Sequence, residues 1–332
     1  MCQYSATDGL PDDWHLVHLG ARAVGGAGLV MTEATAVSPE GRISPQDTGI
    51  WNDGQAEAWA RIARFITGQG ACVGMQLGHA GRKGSTRRPW ESRGYVAPAD
   101  GGWQTVGASP VGYDDWPAPL ELSRSALTQV CSDFGGAARR AHESGFDVVE
   151  LHAAHGYLLH QFLSPLTNTR TDEYGGGFDN RIRFPLEVVR ALRAGWPENK
   201  ALLVRISATD WADGGWTVEE SVELSRLLAL EGVDLVDVSS GGLVPQQKIE
   251  VGPGYQVPFA ARIRREAGVA TGAVGMITEP QQAEKVLADG QADVVLLARE
   301  LLRDPHWPLR AATELGDDVA WPPQYDRARP RP

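Results

Sequence analysis

The stretch Asp147–Tyr157, DVVELHAAHGY, contains the pattern that decides the fold. It begins with an apolar, β-branched run that is typical of a buried strand. It then changes to His152-Ala-Ala-His155-Gly-Tyr157, and a hydrophobic core would not select two histidines and a tyrosine so close together. The pattern therefore predicts a strand whose C-terminal end carries side chains for binding or catalysis.

Six other runs of this kind are spread along the chain, and amphipathic segments lie between them. Several runs are apolar nearly throughout, as expected of strands that are covered on both faces. The alternation predicts parallel βαβ units, in either a doubly wound sheet or a (β/α)8 barrel. The six runs are Gly28–Glu33, Ala71–Leu77, Leu202–Ser207, Val233–Ser239, Val269–Val274 and Ala292–Ala298.

Local signals predict individual helices. Six apolar residues share one face of a segment that ends near Gly145. Thr217 with Glu220, and Thr278 with Gln281, have the spacing of a capping box, which predicts that helices begin after the two threonines. The six apolar residues are Leu127, Val130, Phe134, Ala137, Ala138 and Ala141.

Polar side chains at the strand ends distinguish the two architectures. A barrel gathers all such ends into one ring, whereas an open sheet uses only those near its switch point. Nearly every predicted strand ends in residues that a core would not select, so we predict an α/β protein with a (β/α)8 barrel. These residues are Glu33, Gln76, His79, His152, Arg205, Ser239, Ser240 and Arg299.

The length of 332 residues is compatible with a single barrel over residues 1–332. Residues 78–122 lack periodicity and are rich in Gly, Pro and Trp. Loops of this length in compact domains are usually functional, and the tryptophans favour a folded lid after the third barrel strand. Residues 321–332 form a tail that is rich in Pro and Arg.

Charge and composition limit the classes of partner. The chain has 31 basic and 42 acidic residues, and this net charge of −11 disfavours nucleic acid as a partner. No apolar run approaches the ~18–20 residues of a membrane span, so we expect no membrane partner. Three cysteines at unrelated spacings (Cys2, Cys72 and Cys131) do not indicate a disulfide framework or an iron–sulfur cluster, and the N-terminus shows no signal peptide. We therefore expect a cytoplasmic protein.

The candidate site residues admit more than one interpretation. The two histidines can bind a metal, with Glu150 as a candidate third ligand; they can donate hydrogen bonds to a substrate oxygen; or one can be a buried structural residue. Arg205, inside the strand LLVRIS, predicts either a structural ion pair or a contact with a bound cofactor.

Glycine-rich turns follow the late strands, at Ser239–Gly242 and Gly272–Gly275, and Ala298 and Arg299 follow the last one. Such turns expose backbone N–H groups, and the loops after the last strands of a barrel commonly bind phosphate. Arg299 adds a cation to this set. Together these turns predict a phosphorylated ligand.

These residues, in this order, resemble the Old Yellow Enzyme family of flavin-dependent ene-reductases. The likeness is greatest to its bacterial, cysteine-containing subclass, which includes NADPH dehydrogenases and xenobiotic reductases, and it covers essentially the whole chain. The segments that carry it are MCQYSA (1–6), EATAV (33–37), GRISPQDTGIW (41–51), MQLGHAGRK (75–83), FDVVELHAAHGYLLHQFLSP (146–165), NTRTDEYGG (168–176), SSGG (239–242), TGAVGMIT (271–278) and ARELLRDP (298–305).

The resemblance implies a barrel with FMN at its C-terminal mouth. Arg205 would lie against the pyrimidine edge of the flavin, Gln76 and Ala34 would contact its ring, and Cys2 would tune it. Gly275, Met276, Ala298 and Arg299 would hold the phosphate. The full set implied for the cofactor is Met1, Cys2, Ala34, Gln76, Arg205, Ser240, Gly241, Gly275, Met276, Ala298 and Arg299.

The resemblance also implies the reaction, in which NAD(P)H (NADPH or NADH) reduces the flavin and the flavin reduces an electron-poor alkene. His152 and His155 would donate to the carbonyl or nitro oxygen of the substrate, and Tyr157 would protonate its α-carbon. Tyr4 would bind the activating group. An arginine near the C-terminus, matched here by Arg327, would reach into a neighbour's site in a homodimer or homotetramer.

Two departures from the family pattern affect these expectations. Ala298 stands where the family commonly has glycine beside the phosphate, and its methyl group would crowd that site. Family members also begin about two dozen residues earlier, so Met1 falls near the end of barrel strand one. We therefore expect the first strand to be largely missing.

Two alternative functions are compatible with parts of the pattern. A phosphate-binding barrel aldolase or isomerase without flavin would explain the late-strand turns, although Lys83 is a poor catalytic lysine for it. An inactive, truncated remnant would explain the short N-terminus.

Overall fold

Seven parallel strands form one sheet in the order β1-β2-β5-β6-β7-β8-β9. The computed structural model describes residues 1–91 and 94–330. The order follows the chain without the reversal of a doubly wound sheet, which confirms the predicted barrel over these seven strands, with β1 and β9 as the sheet edges in the described ranges. The strands are β1 (Leu29–Ala36), β2 (Cys72–Gly78), β5 (Val148–Ala153), β6 (Ala201–Ser207), β7 (Leu235–Ser239), β8 (Ala270–Ala273) and β9 (Val294–Val295).

Helices connect the strands and cover the sheet. The apolar face predicted in α3 is confirmed, because all six of its residues are buried. Trp59, Ile62 and Ile66 of α2 are also buried in the core between helices and sheet. The helices are α1 (Asp13–Val24), α2 (Asp53–Gly68), α3 (Arg124–Glu143), α4 (Leu158–Leu163), α5 (Phe178–Arg181), α6 (Arg183–Gly195), α7 (Val218–Leu230), α8 (Val257–Ala267), α9 (Pro280–Ala288), α10 (Arg299–Arg303) and α11 (Trp307–Leu315).

The two predicted capping boxes have different outcomes. Thr217 caps α7, and its side chain and that of Glu220 make the reciprocal contacts of the box, as predicted. The box at Thr278 is wrong, because Pro280 occupies the first turn of α9 and makes Glu279 the cap residue. Proline favours that first position, where its missing N–H costs nothing.

The segment 78–122 folds against the C-terminal ends of β2 and β5. It contains 3-10 turns at Gly81–Lys83 and Pro98–Asp100 and a short parallel pair, β3 (Val106–Gly107) with β4 (Leu120–Glu121). Ser92 and Arg93 of the predicted lid, and Arg331 and Pro332 of the tail, lie outside the described residues. No helix in the described ranges is long and apolar enough to cross a membrane.

β1 contains a bulge at Thr32 and Glu33. Its register pairs Met31 with Gly74 and then Ala34 with Gln76, so β1 has one residue more than β2 over this stretch. At the bulge, the Thr32 side chain provides the acceptor for the Gln76 backbone N–H, which donates to Oγ1 over 3.1 Å. The Glu33 side chain lies against α1, away from the ladder, with Oε1 3.0 Å from a histidine of that helix.

Candidate active site

The two histidines predicted as substrate donors lie together at the end of β5. Nε2 of His152 is 3.3 Å from Nδ1 of His155, and the rings meet edge to face. His155 has a left-handed backbone (φ 57°), which is uncommon for a non-glycine residue and concentrates at functional sites. Its backbone N–H donates to Oγ of Ser207, at the end of β6, over 2.9 Å. The neighbouring strand thus holds the turn that brings the rings together.

The hydrogen bonds fix which nitrogen of each ring carries the proton. Nδ1 of His152 accepts the Ala154 backbone N–H, so the proton of the neutral ring is on Nε2. That N–H donates to Nδ1 of His155, which leaves the His155 proton on Nε2. Burial, followed by the charge of Arg205, lowers the pKa of both imidazoles well below 6.5. Both are therefore neutral N–H donors at neutral pH.

Tyr157 stands beside the histidines, immediately before α4. Its ring lies edge-on to that of His152, with centroids 4.9 Å apart, and Nζ of Lys83 is 5.3 Å from its centre. Burial, followed by the neighbouring Cys2 and Tyr4, raises the pKa of Tyr157 well above 10. The phenol therefore holds its proton until a stronger base takes it.

Arg205 points from β6 into the barrel and is bound on one side only. Its Nε is 3.1 Å from Oδ2 of the buried Asp237, and its Nε and Nη2 donate to Oγ of Ser239. Its side chain nevertheless keeps 23% of its surface exposed at the mouth. The structural ion pair predicted for Arg205 is therefore present, and the contact of its exposed cationic edge with a cofactor stays a prediction.

A second polar pair lies deeper in the barrel, where Nε2 of Gln76 donates to Oε1 of Glu150 over 2.7 Å. Burial, followed by the charge of Asp237, raises the pKa of Glu150 to about 8, so this acid is protonated at neutral pH. Glu150 therefore binds an amide neighbour here. In the described ranges, no three His, Cys, Asp or Glu side chains are grouped to hold a metal ion.

The N-terminal residues lie at the rim of the mouth. Met1 is exposed, and Cys2 and Tyr4 are half-buried. The Tyr4 ring meets that of Trp90 edge to face at 5.8 Å. Burial, followed by the charges of Asp47 and Glu33, raises the pKa of the Cys2 thiol. The side chain at this position is therefore an uncharged thiol.

The turns after β7, β8 and β9 lie beside one another, and Gln256 joins the first two. Its Oε1 accepts the hydroxyl of Ser240 at 2.7 Å, and its Nε2 donates to the carbonyl of Val274 at 3.0 Å. Gly275 has a φ of 121°, and a Cβ there would lie 2.7 Å from the Gln256 amide. The turn therefore requires glycine at this point.

The donor set fits FMN. Arg299 is exposed and makes no ion pair within the described part of the chain. The hydrogen bond from the Leu296 N–H to the Ala273 carbonyl keeps the strand that precedes Arg299 beside the Gly275 turn. An unpaired guanidinium next to a glycine turn suits a phosphate. The exposed edge of Arg205 suits the electron-rich edge of a flavin. Met276 (φ 51°) and Ala298 complete the two turns, and the half-buried Ala34 lies beside Gln76 in the β1–β2 register.

Some functional contacts were not predicted from the sequence. Lys83, rejected above as a catalytic lysine, donates from Nζ to the carbonyls of His155 and Gly242 at 2.9 Å each and so ties the β5 turn to the β7 turn. Its position in the loop motif MQLGHAGRK was the only available signal. No sequence signal indicated Gln256, because it lies in a polar connection without periodicity.

Arg327 does not join the other predicted residues. It is exposed, on the 3-10 turn Pro323–Ala328 of the tail, and Tyr325 of that turn packs on His306 with ring centroids 5.8 Å apart. Arg327 makes no hydrogen bond or ion pair in the described ranges. Within one chain, the tail therefore does not place Arg327 at the mouth.

The barrel fold and the donors at its mouth are compatible with an enzyme that binds a phosphorylated ligand. The chain belongs to the NADH:flavin oxidoreductase / NADH oxidase family, whose pattern matches residues 1–318. It is an NAD(P)H-dependent oxidoreductase with FMN as its cofactor and a nicotinamide nucleotide as reductant.

Curated relatives and solved structures agree with this assignment. The chain is 48% identical over 329 residues to an NADPH dehydrogenase of Geobacillus thermodenitrificans, covering 98% of this chain and 92% of the relative. It is 46% identical over 331 residues to an NADPH dehydrogenase of Listeria monocytogenes serotype 4a, covering 99% and 93%. Morphinone reductase matches with a TM-score of 0.78 at 27% identity, over 98% of this chain and 86% of that one. A 2-naphthoyl-CoA reductase in complex with 2-naphthoyl-CoA matches with a TM-score of 0.84 at 25% identity, over 96% and 49%.

Proposed function

We propose that the protein uses NAD(P)H to reduce the activated C=C bond of electron-poor alkenes, namely α,β-unsaturated carbonyl or nitro compounds. The observation that carries this proposal is the group of three proton-bearing side chains at the mouth, His152, His155 and Tyr157. The FMN of the family supplies hydride-transfer chemistry when it is bound. The names of two similar structures, morphinone reductase and 2-naphthoyl-CoA reductase, support a reductase of small unsaturated compounds.

The histidines bind and polarise the activating group of the substrate. As a neutral donor, His155 directs its Nε2–H to a carbonyl or nitro oxygen. His152 directs its Nε2–H to the same oxygen once the ring of His155 turns aside. That oxygen gains negative charge as the double bond is reduced, so the hydrogen bonds strengthen during the reaction. Neutral rings suit this role beside Arg205, because charged ones would repel the guanidinium.

Tyr157 donates the proton that completes the reduction. The phenol holds this proton through its raised pKa and gives it up to the carbanion-like α-carbon, which is a far stronger base. Tyr4 and Cys2, at the rim, contact the bound substrate. The eleven residues that the resemblance implies for FMN remain our proposal for its binding site, with Arg299 and the Gly275 turn on the phosphate.

The proposal predicts separable effects in the two half-reactions of a Tyr157→Phe variant. We expect reduction of a model enone to slow by about 10²-fold, because a positioned general acid contributes roughly that much. Flavin reduction by NADPH stays nearly unchanged, since it needs no proton from Tyr157. Stopped-flow absorbance of the flavin measures both steps separately.

Tyr113→Phe is the matched control, because Tyr113 also lies beside Lys83, with Nζ 4.7 Å from its ring centre, but outside the histidine group. It leaves both half-reactions unchanged. Equal losses in both half-reactions of Tyr157→Phe would contradict its role as proton donor. A purified protein that stays colourless with added FMN would support the flavin-free aldolase or the inactive remnant instead.

A further inference from the structure

We propose that Glu33 and His15 are positioning residues that hold the N-terminal segment, Met1–Tyr4, against the mouth. They contact neither of the histidines nor Tyr157, and they act through the backbone of Gln3. The proposal deepens the proposed function, on which the roles of Cys2 and Tyr4 rest.

Glu33 uses both of its oxygens, although its side chain is only 3% exposed. Its Oε2 accepts the backbone N–H of Gln3, and its Oε1 lies 3.0 Å from Nε2 of His15. The β1 bulge places the carboxylate there, between α1 and the N-terminal segment. A buried carboxylate is costly unless it is paired and hydrogen-bonded, so both contacts are needed to keep it in place.

His15 is itself fixed on both ring nitrogens and is 1% exposed. Its Nδ1 accepts the Asp12 backbone N–H at 3.0 Å and lies 2.8 Å from Oδ1 of Asp12, as part of the α1 capping box. Its ring also packs edge-on against Trp59, with centroids 6.2 Å apart. The Asp12 and Trp59 contacts therefore hold the ring where Nε2 lies 3.0 Å from Oε1 of Glu33. Burial opposes the charged ring, but Glu33 and Asp12 outweigh it and raise the pKa of His15.

Few other contacts hold the segment. Nε1 of Trp14 donates to the Gln3 side chain at 3.1 Å, in an exposed position, and the Ala6 N–H donates to the carbonyl of Gln46. The Glu33 contact is the one that fixes the backbone between Cys2 and Tyr4. Loss of that contact therefore loosens the backbone that carries Cys2 and Tyr4, while the Tyr4 ring keeps its edge-to-face contact with Trp90 and the barrel and the histidine group stay intact.

Alkylation of the Cys2 thiol tests the positioning role of Glu33 and His15 without a measurement of catalytic turnover. Iodoacetamide labelling at pH 8, followed by peptide mass spectrometry, gives the rate at Cys2 relative to that at Cys72, which is exposed at the start of β2. In Glu33→Gln, the amide replaces one acceptor with a donor, so Gln3 N–H or His15 Nε2–H meets an N–H group. We expect the Cys2:Cys72 ratio to rise by about threefold or more, because the thiol is freed and because the charge of Glu33 no longer raises its pKa, so the decisive comparison uses the variants below that keep Glu33. His15→Gln changes the ratio in the same direction.

A second pair of variants covers the case in which Glu33→Gln does not fold. Gln3→Pro removes the donated N–H without touching the barrel, whereas Gln3→Ala keeps the N–H and removes only the side chain that binds Trp14. The ratio rises in Gln3→Pro and not in Gln3→Ala. Asp13→Asn controls for charge changes on α1, because Asp13 pairs with Arg61 on the surface.

The outcomes separate this proposal from the proposed function. A ratio that stays at the wild-type value in both Gln3→Pro and folded His15→Gln overturns the positioning role. In the FMN-loaded enzyme, Gln3→Pro raises KM for the alkene and Gln3→Ala leaves KM at the wild-type value; an unchanged KM in Gln3→Pro also overturns the positioning role. Failure of the Tyr157 test would overturn the reaction assignment and leave the labelling result standing.

Discussion

At the scale of single residues, burial keeps the polar groups of the mouth uncharged. His152 and His155 lose the charged form, and Tyr157 and Glu150 keep their protons, because the interior disfavours ions. Arg205 is the exception, since Asp237 pays for its burial with an opposite charge. The cationic edge of Arg205 among neutral donors suits a site where negative charge develops on bound molecules.

Glu150 predicts a measurable dependence of stability on pH. Between pH ~4.5 and about 8 the unfolded carboxyl is ionised while the folded one keeps its proton, so the unfolded state binds fewer protons and stability falls as pH rises. Glu150→Gln keeps an acceptor for Gln76 and removes this titration. We expect the variant to gain about 3 to 4 kcal/mol relative to wild type between pH 5 and pH 8.

Urea denaturation at pH 5, 6.5 and 8, at one fixed FMN concentration, measures this difference. The gain should grow through the interval and level off above pH 8. A difference that is constant across the three pH values would mean that Glu150 is ionised in the folded protein throughout.

The sequence revealed some of these residues and concealed others. His152, His155 and Tyr157 were predictable because they interrupt an apolar run at a strand end. The contact between His15 and Glu33 was not, because it depends on one extra residue in β1 that no composition or periodicity signals. Bulges of this kind follow from tertiary packing on both sides of a strand.

At the scale of elements, the β5 and β7 turns are packed backbone to backbone. Gly156 and Gly242 both have positive φ, and a Cβ on Gly156 would lie 2.4 Å from the Gly242 carbonyl oxygen. This close approach lets Lys83 bind both turns and holds the His155 turn in its left-handed form. Regular strands were predictable from their apolar runs, whereas this contact between turns depends on where the barrel brings them.

Gly156→Ala tests the close approach. The substitution combines the cost of a left-handed alanine, about 1 kcal/mol, with a clash against backbone that has little room to move. Gly176→Ala is the matched control, because Gly176 has a similar φ (84°) and open space around its Cβ position. We expect Gly156→Ala to lower the free energy of unfolding by at least about 2 kcal/mol more than Gly176→Ala.

Chemical denaturation of both variants provides the comparison, and substrate KM provides a second readout. Displacement of the His155 turn should raise KM in Gly156→Ala alone. Equal losses of stability in the two glycine variants would show that the turns tolerate a methyl group between them.

At the scale of the whole molecule, the strand order gathers residues from distant parts of the sequence into one mouth. Residues of β1, β2, β5, β6 and β7 meet there because the strands are parallel and adjacent in chain order. The polar strand ends were therefore sufficient to predict the barrel, and they indicate a candidate site at its mouth. They carry no information on the tail, whose position depends on packing against α11 and on any partner chain.

The family resemblance predicts that Arg327 links the site to assembly. The arginine would then enter a neighbouring subunit's site; among the residues that the structure describes it is exposed and makes no hydrogen bond or ion pair, which is compatible with that contact. In a homo-oligomer, Arg327→Ala should raise KM for the alkene several-fold, because the guanidinium would be lost from the substrate's surroundings, and leave the unfolding free energy unchanged. Sedimentation velocity establishes the oligomeric state, and steady-state kinetics gives KM. Arg329→Ala is the control on the same tail, since Arg329 pairs with Asp318 of its own chain. An unchanged KM for Arg327→Ala in a proven oligomer would place the arginine outside the active site.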